Sequence, residues 1–392
     1  MHPLSGRILV ATGAYPPIPG GSSVIMKNLL DAISPESIVL ARSRPPRGSS
    51  RDSGPHKSHF VIGTTNLPNS IERYRHLLLR NVVAERLVRL VREHSCRAIL
   101  GVYPTILFLD VAERAARKAN VPFIPYLHDT VLEGMSAGRF AAWGREVQVR
   151  VFESAARIFV ATEGMAELFS RKYGLDVNTV LHIYPEPIPQ QLPGEEDIQK
   201  SFFWGGAVYG INAHSLVRIN RAIVRLNQGC RMVFATNQGL SQLMAQGIPG
   251  DIVDKIFIPL SERSRYLEIL SRQDVLVLAL SWPDETDVHE DELSTIFPTK
   301  APEYLASGRP ILVHCPEHYY LARFFRQHGC GEVVADRSPG SLEAAVSRLS
   351  VPGPRRDSIR RNALKAAKLF TRNQVVPQFF ASIQEAIERR KL

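Results

Sequence analysis

The chain has no apolar run approaching the roughly 20 residues that a membrane-spanning helix needs, and it has no low-complexity tract and no short-period repeat. It also lacks G-x-G-x-x-G and G-x-x-x-x-G-K-[ST], so neither the nicotinamide-dinucleotide fingerprint nor the P-loop is present. Cysteine is scarce: Cys96, Cys230, Cys315 and Cys330 form no C-x-x-C pair. Each sits in or beside an apolar stretch, which predicts buried free thiols in a reducing compartment and no structural zinc. No D-x-D-type carboxylate pair stands at an expected strand end, so no metal is expected. The start of the chain lacks a signal-peptide pattern, because Ile8 to Ala14 is apolar but short and runs into a Pro/Gly loop. A cytoplasmic location is the expectation.

What is present describes an ordinary globular chain. It has 392 residues, of which 44% are hydrophobic and 22% charged. That length favours two domains of about 150–200 residues each. The formal charge is +10, from 48 basic and 38 acidic residues. Basic residues gather in Arg42 to Arg51 and in the helix-like stretch Ile71 to Arg97. A scattered basic surface explains this, and so does a basic face suited to an anionic substrate or an anionic membrane surface. No zinc-finger or RNP-type motif accompanies the charge, so nucleic acid is not an expected partner.

Strand and helix signals alternate along the chain. Arg7 to Ala11 reads as a strand, followed by a Pro/Gly loop and a helix beginning near Val24. Further strands are expected at Ser37 to Leu40, His59 to Ile62, Ala98 to Val102, Pro122 to Tyr126 and Ile158 to Ala161. Pro45 to Pro55 is polar and rich in Pro, Gly and Ser, and reads as a loop. Between Ile71 and His94, the residues Leu77, Leu78, Val82, Leu87, Leu90 and Val91 recur near helical spacing, with arginines between them. Tyr184 to Glu196 is dense in proline and reads as a linker. The second half repeats the architecture, with strands at 201–204, 231–235, 255–258, 274–280, 310–314 and 331–334, and ends in two helices at 355–369 and 373–391. Such alternation predicts parallel sheets with helices on both faces.

The most informative segment is Ser294 to Pro310, S-T-I-F-P-T-K-A-P-E-Y-L-A-S-G-R-P. It lies between two unbroken apolar strands, Asp274 to Leu280 and Pro310 to His314, which read as buried parallel strands. A short helix from Lys300 to Ser307 is expected between them, capped by Thr299 and ended by Gly308. Lys300 and Glu303 share one face of it. They are either a surface ion pair of little consequence or a cation for a phosphate and a carboxylate for two ribose hydroxyls. Gly20-Gly21 and Gly206 follow the first strand of each half, where glycine lets backbone amides approach a phosphate or sugar. An ordinary turn is the alternative. His128-Asp129 closes a strand, the position at which α/β sheets hold chemistry; the alternative is a hydrogen-bonded structural histidine. The acidic run Asp284 to Glu292 reads as a solvated loop.

These residues resemble the GT-B-fold glycosyltransferases, in particular the large retaining family 4 type. The resemblance rests on R-I-L-V-A…Y-P-P-I-P-G-G-S-S, P-F-I-P-Y-L-H-D-T, I-F-V-A-T-E-G-M and, most specifically, F-P-T-K-A-P-E-Y-L-A-S-G-R-P-I-L. It implies an α/β GT-B architecture, two Rossmann-like domains with parallel sheets facing an interdomain cleft. The boundaries expected are 1–186 for the acceptor domain, 187–200 for the linker, 201–372 for the donor domain and 373–392 for a helix crossing back. It further implies a nucleotide-diphosphate-sugar donor, a hydroxyl acceptor, retention of configuration and no cofactor. Carried over by position, Glu303 would bind the donor ribose and Lys300 would face its phosphates. Gly20 and Gly21 would lie near the diphosphate and acceptor, His128 beside the transferred sugar and Asp129 toward the acceptor. Two features depart from the family pattern. Thr295 stands where a second glutamate often stands, and A-V-Y-G-I-N-A-H after Trp204 lacks the usual Arg and Lys. Backbone amides at Gly206 and at a Ser294–Thr295 turn are expected to substitute. These departures keep two other readings open: an inactive GT-B partner or sugar-binding protein, and a nucleotide-sugar epimerase of the same architecture.

Overall fold

Buried parallel strands, apolar on both faces, organise the molecule. The computed structural model describes residues 6–45, 54–65, 69–133, 139–194, 198–249, 253–256 and 263–389. Most of the expected Pro45–Pro55 loop, with Arg47 and Arg51, lies outside the described residues. The chain divides into one unit of Met1–Pro185 with Thr371–Leu392, and a second of Glu186–Phe370.

In chain order the first unit runs β1 (Arg7–Thr12), α1 (Gly21–Asp31), β2 (Ile38–Arg44), β3 (Ser58–Gly63), α2 (Asn69–Glu93), β4 (Cys96–Tyr103), α3 (Ile106–Ala119), β5 (Phe123–Leu127), α4 (Arg139–Ser154), β6 (Phe159–Val160), α5 (Glu163–Tyr173) and β7 (Asn178–Thr179). All seven strands pair in parallel in the order β3-β2-β1-β4-β5-β6-β7. Successive side chains of β1 enter different cores. Leu9 and Ala11 pack with α2 and α3, and Ile8 and Val10 pack with α1. Gly101 of β4 lets α3 approach closely, since a Cβ there would stand 2.7 Å from the Ala112 methyl. Helix α5 is capped by Thr162, which accepts from the Met165 amide at 3.0 Å, and ends at Gly174 with φ +65°.

The second unit runs β8 (Gln199–Gly205), α6 (Ala213–Leu226), β9 (Arg231–Ala235), α7 (Leu240–Ala245), β10 (Val253–Ile256), α8 (Arg263–Ser271), β11 (Gln273–Ala279), α9 (Glu290–Thr295), α10 (Ala301–Ala306), β12 (Ile311–His314), α11 (Tyr320–His328), β13 (Glu332–Val334), α12 (Pro339–Leu349) and α13 (Pro354–Ala367). Its sheet is parallel with order β10-β9-β8-β11-β12-β13. The order reverses between β8 and β11, so connections leave the carboxyl ends of these two strands in opposite directions and open a crevice there. The stretch expected to be linker reaches only to the start of β8, which takes in Gln199 and Lys200.

The last helix, α14 (Arg372–Arg389), belongs to the first unit. Its Val375, Val376, Phe379 and Ile383 share a core with Ile8, Leu29 and Phe159. In the second unit a buried ion pair joins Arg356 of α13 to Asp274 at the start of β11. Removing one partner leaves a buried charge alone, so Arg356→Met is expected to lower the stability of this unit by about 3 kcal/mol. Urea unfolding followed by the signal of its own tryptophans, Trp204 and Trp282, measures this.

Candidate functional site

At the crevice of the second unit, α10 brings two ionisable groups beside the end of β8. The helix begins after Lys300, its N-cap residue, which has helical torsions and no side-chain cap. Thr299 therefore does not cap it, contrary to expectation, because the turn Thr299–Lys300 already follows the helical path. The helix stops at Ser307, and Gly308 turns away with φ +63° beside Pro193. The Lys300 ammonium lies 3.0 Å from the ring centroid of Trp204 in β8. An aromatic face stabilises a cation that has lost part of its water. Burial still pushes the ammonium well below its usual range, with Glu303 opposing the shift.

Glu303 lies one turn further along and is buried, 8% exposed. Its Oε1 accepts from Nη1 of Arg263 at 2.6 Å. The same guanidinium grips Glu186, with Nη2 donating to Oε2 at 2.7 Å. Burial raises the Glu303 carboxyl, and the Arg263 charge draws it part of the way back. The next residue, Tyr304, accepts from the Gly205 amide at 2.9 Å through its phenol oxygen, locking the end of β8 onto α10. The arrangement is a carboxylate and an ammonium one turn apart at a strand-end crevice, each held by a neighbouring side chain.

Two expectations about backbone amides need correction. The Gly206 amide donates to the Ala235 carbonyl at 2.8 Å and is not available to a ligand. Gly206 serves by conformation and size instead: its φ is +118°, and a Cβ would stand 3.4 Å from the Lys300 nitrogen. Ser294 and Thr295 do not form a turn with outward amides. They end α9, where their hydroxyls donate to the carbonyls of Asp291 at 3.1 Å and Glu292 at 2.9 Å. A helix end of this kind presents carbonyls, not amides. The acidic run is also more ordered than a solvated loop: Glu285 pairs with Arg218, and Glu290 onward is helix.

The remaining candidates lie in the first unit. Gly20, with φ +136°, precedes α1, and Gly21 begins it; both are exposed. His128 follows β5 directly and is 7% exposed, packed edge-on against Tyr126 with ring centroids 4.4 Å apart. Neither of its ring nitrogens has a partner among the described residues. Burial, assisted by nearby His182, lowers its pKa to about 3. Asp129 is exposed beside it. A neutral imidazole with one donor and one acceptor nitrogen unspent suits a sugar hydroxyl.

That low value carries a stability prediction with a definite sign. The imidazole binds a proton more readily unfolded than folded, so its contribution is complete above about 6.5 and is lost as pH falls toward 3. Between pH 7 and pH 5 the wild type should lose about 2 kcal/mol more than His128→Gln. Denaturant melts of both proteins at the two pH values measure the difference.

The residues missed by sequence reasoning are Trp204, Arg263, Glu186 and Tyr304. Tyr304 adjoins Glu303 and could have been drawn in. Arg263 carries no local signal, since its contact with Glu303 spans 40 residues.

Neither a family model nor a curated protein matches the sequence. Solved structures do. Sucrose-phosphate synthase from Thermosynechococcus elongatus superposes with a TM-score of 0.69 at 13% identity, over 95% of this chain and 97% of that one. Anabaena HepE in complex with UDP and glucose superposes with a TM-score of 0.66 at 14% identity, over 96% and 99%. A glycosyltransferase from Rickettsia africae gives 0.62 at 10% identity, over 98% and 99%. The chain has the GT-B fold. At these identities the likeness is one of architecture, and it agrees with the two parallel α/β units described above.

Proposed function

We propose that this GT-B chain is a glycosyltransferase that moves a sugar from a nucleoside-diphosphate-sugar to a hydroxyl acceptor, with retention and without a metal. The observation that carries the reading is the pairing of Lys300 and Glu303 at the switch point of the second sheet. In this reading Glu303 accepts from the two ribose hydroxyls, and Arg263 holds its carboxylate in place. Lys300 meets the diphosphate, and the bond between the anomeric carbon and the diphosphate oxygen breaks as negative charge grows there. The departing oxygen takes the proton of the attacking hydroxyl, which approaches from the same face of the sugar. In the first unit, this reading assigns His128 to the transferred sugar, Asp129 to the acceptor, and the amides of Gly20 and Gly21 to the diphosphate and acceptor.

HepE, solved with UDP and glucose, makes uridine donors the first to try. A thermal-shift screen of UDP, GDP and ADP and their glucose conjugates tests the reading, since a ligand bound only by the native state raises its melting midpoint. At least one diphosphate should raise the midpoint by several degrees, and its sugar conjugate should be consumed when acceptors are added. A screen in which none does so defeats the proposal.

A further inference from the structure

The outer face of α2 is apolar where an exposed helix is ordinarily polar. Ile71, Tyr74, Leu78 and Val82 follow one another at spacings of three and four residues and so form one stripe. They are 49%, 37%, 81% and 49% exposed. The opposite face, including Val83, Leu87, Val88 and Val91, lies in the core of the first unit. Continuing along the helix, the apolar stripe gives way to Arg89 and Arg92, both exposed, whereas Arg86 donates to the Val61 carbonyl at 2.5 Å. The helix carries six arginines against three glutamates. Two of those glutamates are already paired, Glu72 with Arg75 and Glu85 with Lys118. Arg92 acts on Glu85 through its charge, and the exposed Glu93 follows Arg89 by one turn, which leaves this end of the helix with a net positive charge.

We propose that this face of α2 docks on an anionic lipid bilayer. The helix lies in the plane of the surface, with Ile71, Tyr74, Leu78 and Val82 at the boundary of headgroups and acyl chains. Arg89 and Arg92 meet the lipid phosphates. A single convex row of side chains suits a fluid surface that moulds around it. The net positive charge at its end selects an anionic surface over a neutral one. No described helix is long and apolar enough to cross a membrane, so the contact is peripheral. This inference is independent of the proposed transferase activity.

Vesicle co-sedimentation of the full chain tests it, with phosphatidylglycerol–phosphatidylcholine vesicles compared with phosphatidylcholine alone. The wild type should sediment with the anionic vesicles, and added salt should release much of it. Leu78→Asp should weaken binding by about tenfold or more, and Arg89→Glu with Arg92→Glu should abolish the preference for anionic lipid. These side chains are exposed, so melting midpoints should match the wild type. Val224→Asp, an apolar position in α6 that at 49% is as exposed as Val82, should bind as the wild type does. A tryptophan at the stripe, in Tyr74→Trp, should shift its emission to the blue on anionic vesicles. Absence of vesicle binding overturns the proposal, as does equal binding by Leu78→Asp. A concentration-dependent dimer that Leu78→Asp abolishes, without vesicle binding, assigns the stripe to a second copy of the chain and overturns it too.

Discussion

Replacing Lys300 by methionine is expected to slow sugar transfer about a thousandfold while leaving the second unit as stable as before, or more so. The two effects have opposite signs for one physical reason. The ammonium sits in a desolvated position over Trp204, where burial pushes its pKa well down. Burying that charge is unfavourable for folding even with Glu303 one turn away. Methionine is unbranched like lysine, and its sulfur packs well on an aromatic face. The same charge is valuable once a diphosphate begins to leave, because a fixed cation in a dry site stabilises the developing anion. Loss of one such group typically costs about 3–4 kcal/mol of transition-state stabilisation. Steady-state kinetics and a thermal melt on the same preparation measure both halves. Equal transfer rates in the two proteins would remove Lys300 from the reaction, and a large drop in melting point would make it a structural residue.

The second large effect concerns affinity. Glu303→Ala should weaken nucleoside diphosphate binding about a hundredfold, since a charged acceptor of two hydroxyl protons is lost. The variant should remain folded, because Arg263 keeps Glu186 as its partner at 2.7 Å. Glu303→Gln retains an acceptor oxygen but not the charge, and about a tenfold loss is expected of it. Titration calorimetry with UDP and with uridine separates the ribose contribution from that of the phosphates. Both ligands should weaken together in Glu303→Ala, whereas Lys300→Met should weaken only UDP.

How much of this was readable beforehand depends on what each residue's neighbours are. The central runs of four strands, 98–102 in β4, 123–127 in β5, 275–279 in β11 and 311–313 in β12, are apolar without interruption because both faces of a parallel sheet are covered, and their positions follow from that. Helix α9 was not expected: E-D-E-L-S-T looks solvated, and only Leu293 and Thr295 of it are buried. Helix α7 was missed for the same reason, since Leu243 is its only buried residue. Helical spacing in α2 grouped Leu78 and Val82 with Leu87 and Val91, yet the first two are exposed and the last two buried. Pattern alone does not separate the two pairs, because the outer face is also apolar over that stretch. At the site, Lys300 and Glu303 were legible because they fall on one helix turn. The hold of Trp204 on Lys300, and of Arg263 on Glu303, was not, because each pair is joined only by the folding of distant segments. The occupied Gly206 amide belongs to the same class: its partner, Ala235, sits at the end of the neighbouring strand β9.

A crystal structure of the protein with UDP bound is the most direct measurement. The account predicts the ribose hydroxyls at about 3 Å from the Glu303 carboxylate, and a diphosphate oxygen at a similar distance from the Lys300 nitrogen. It also predicts Arg263 still bound to Glu186. A nucleotide seated elsewhere, with Lys300 still lying on Trp204 and Glu303 touching only Arg263, would contradict it.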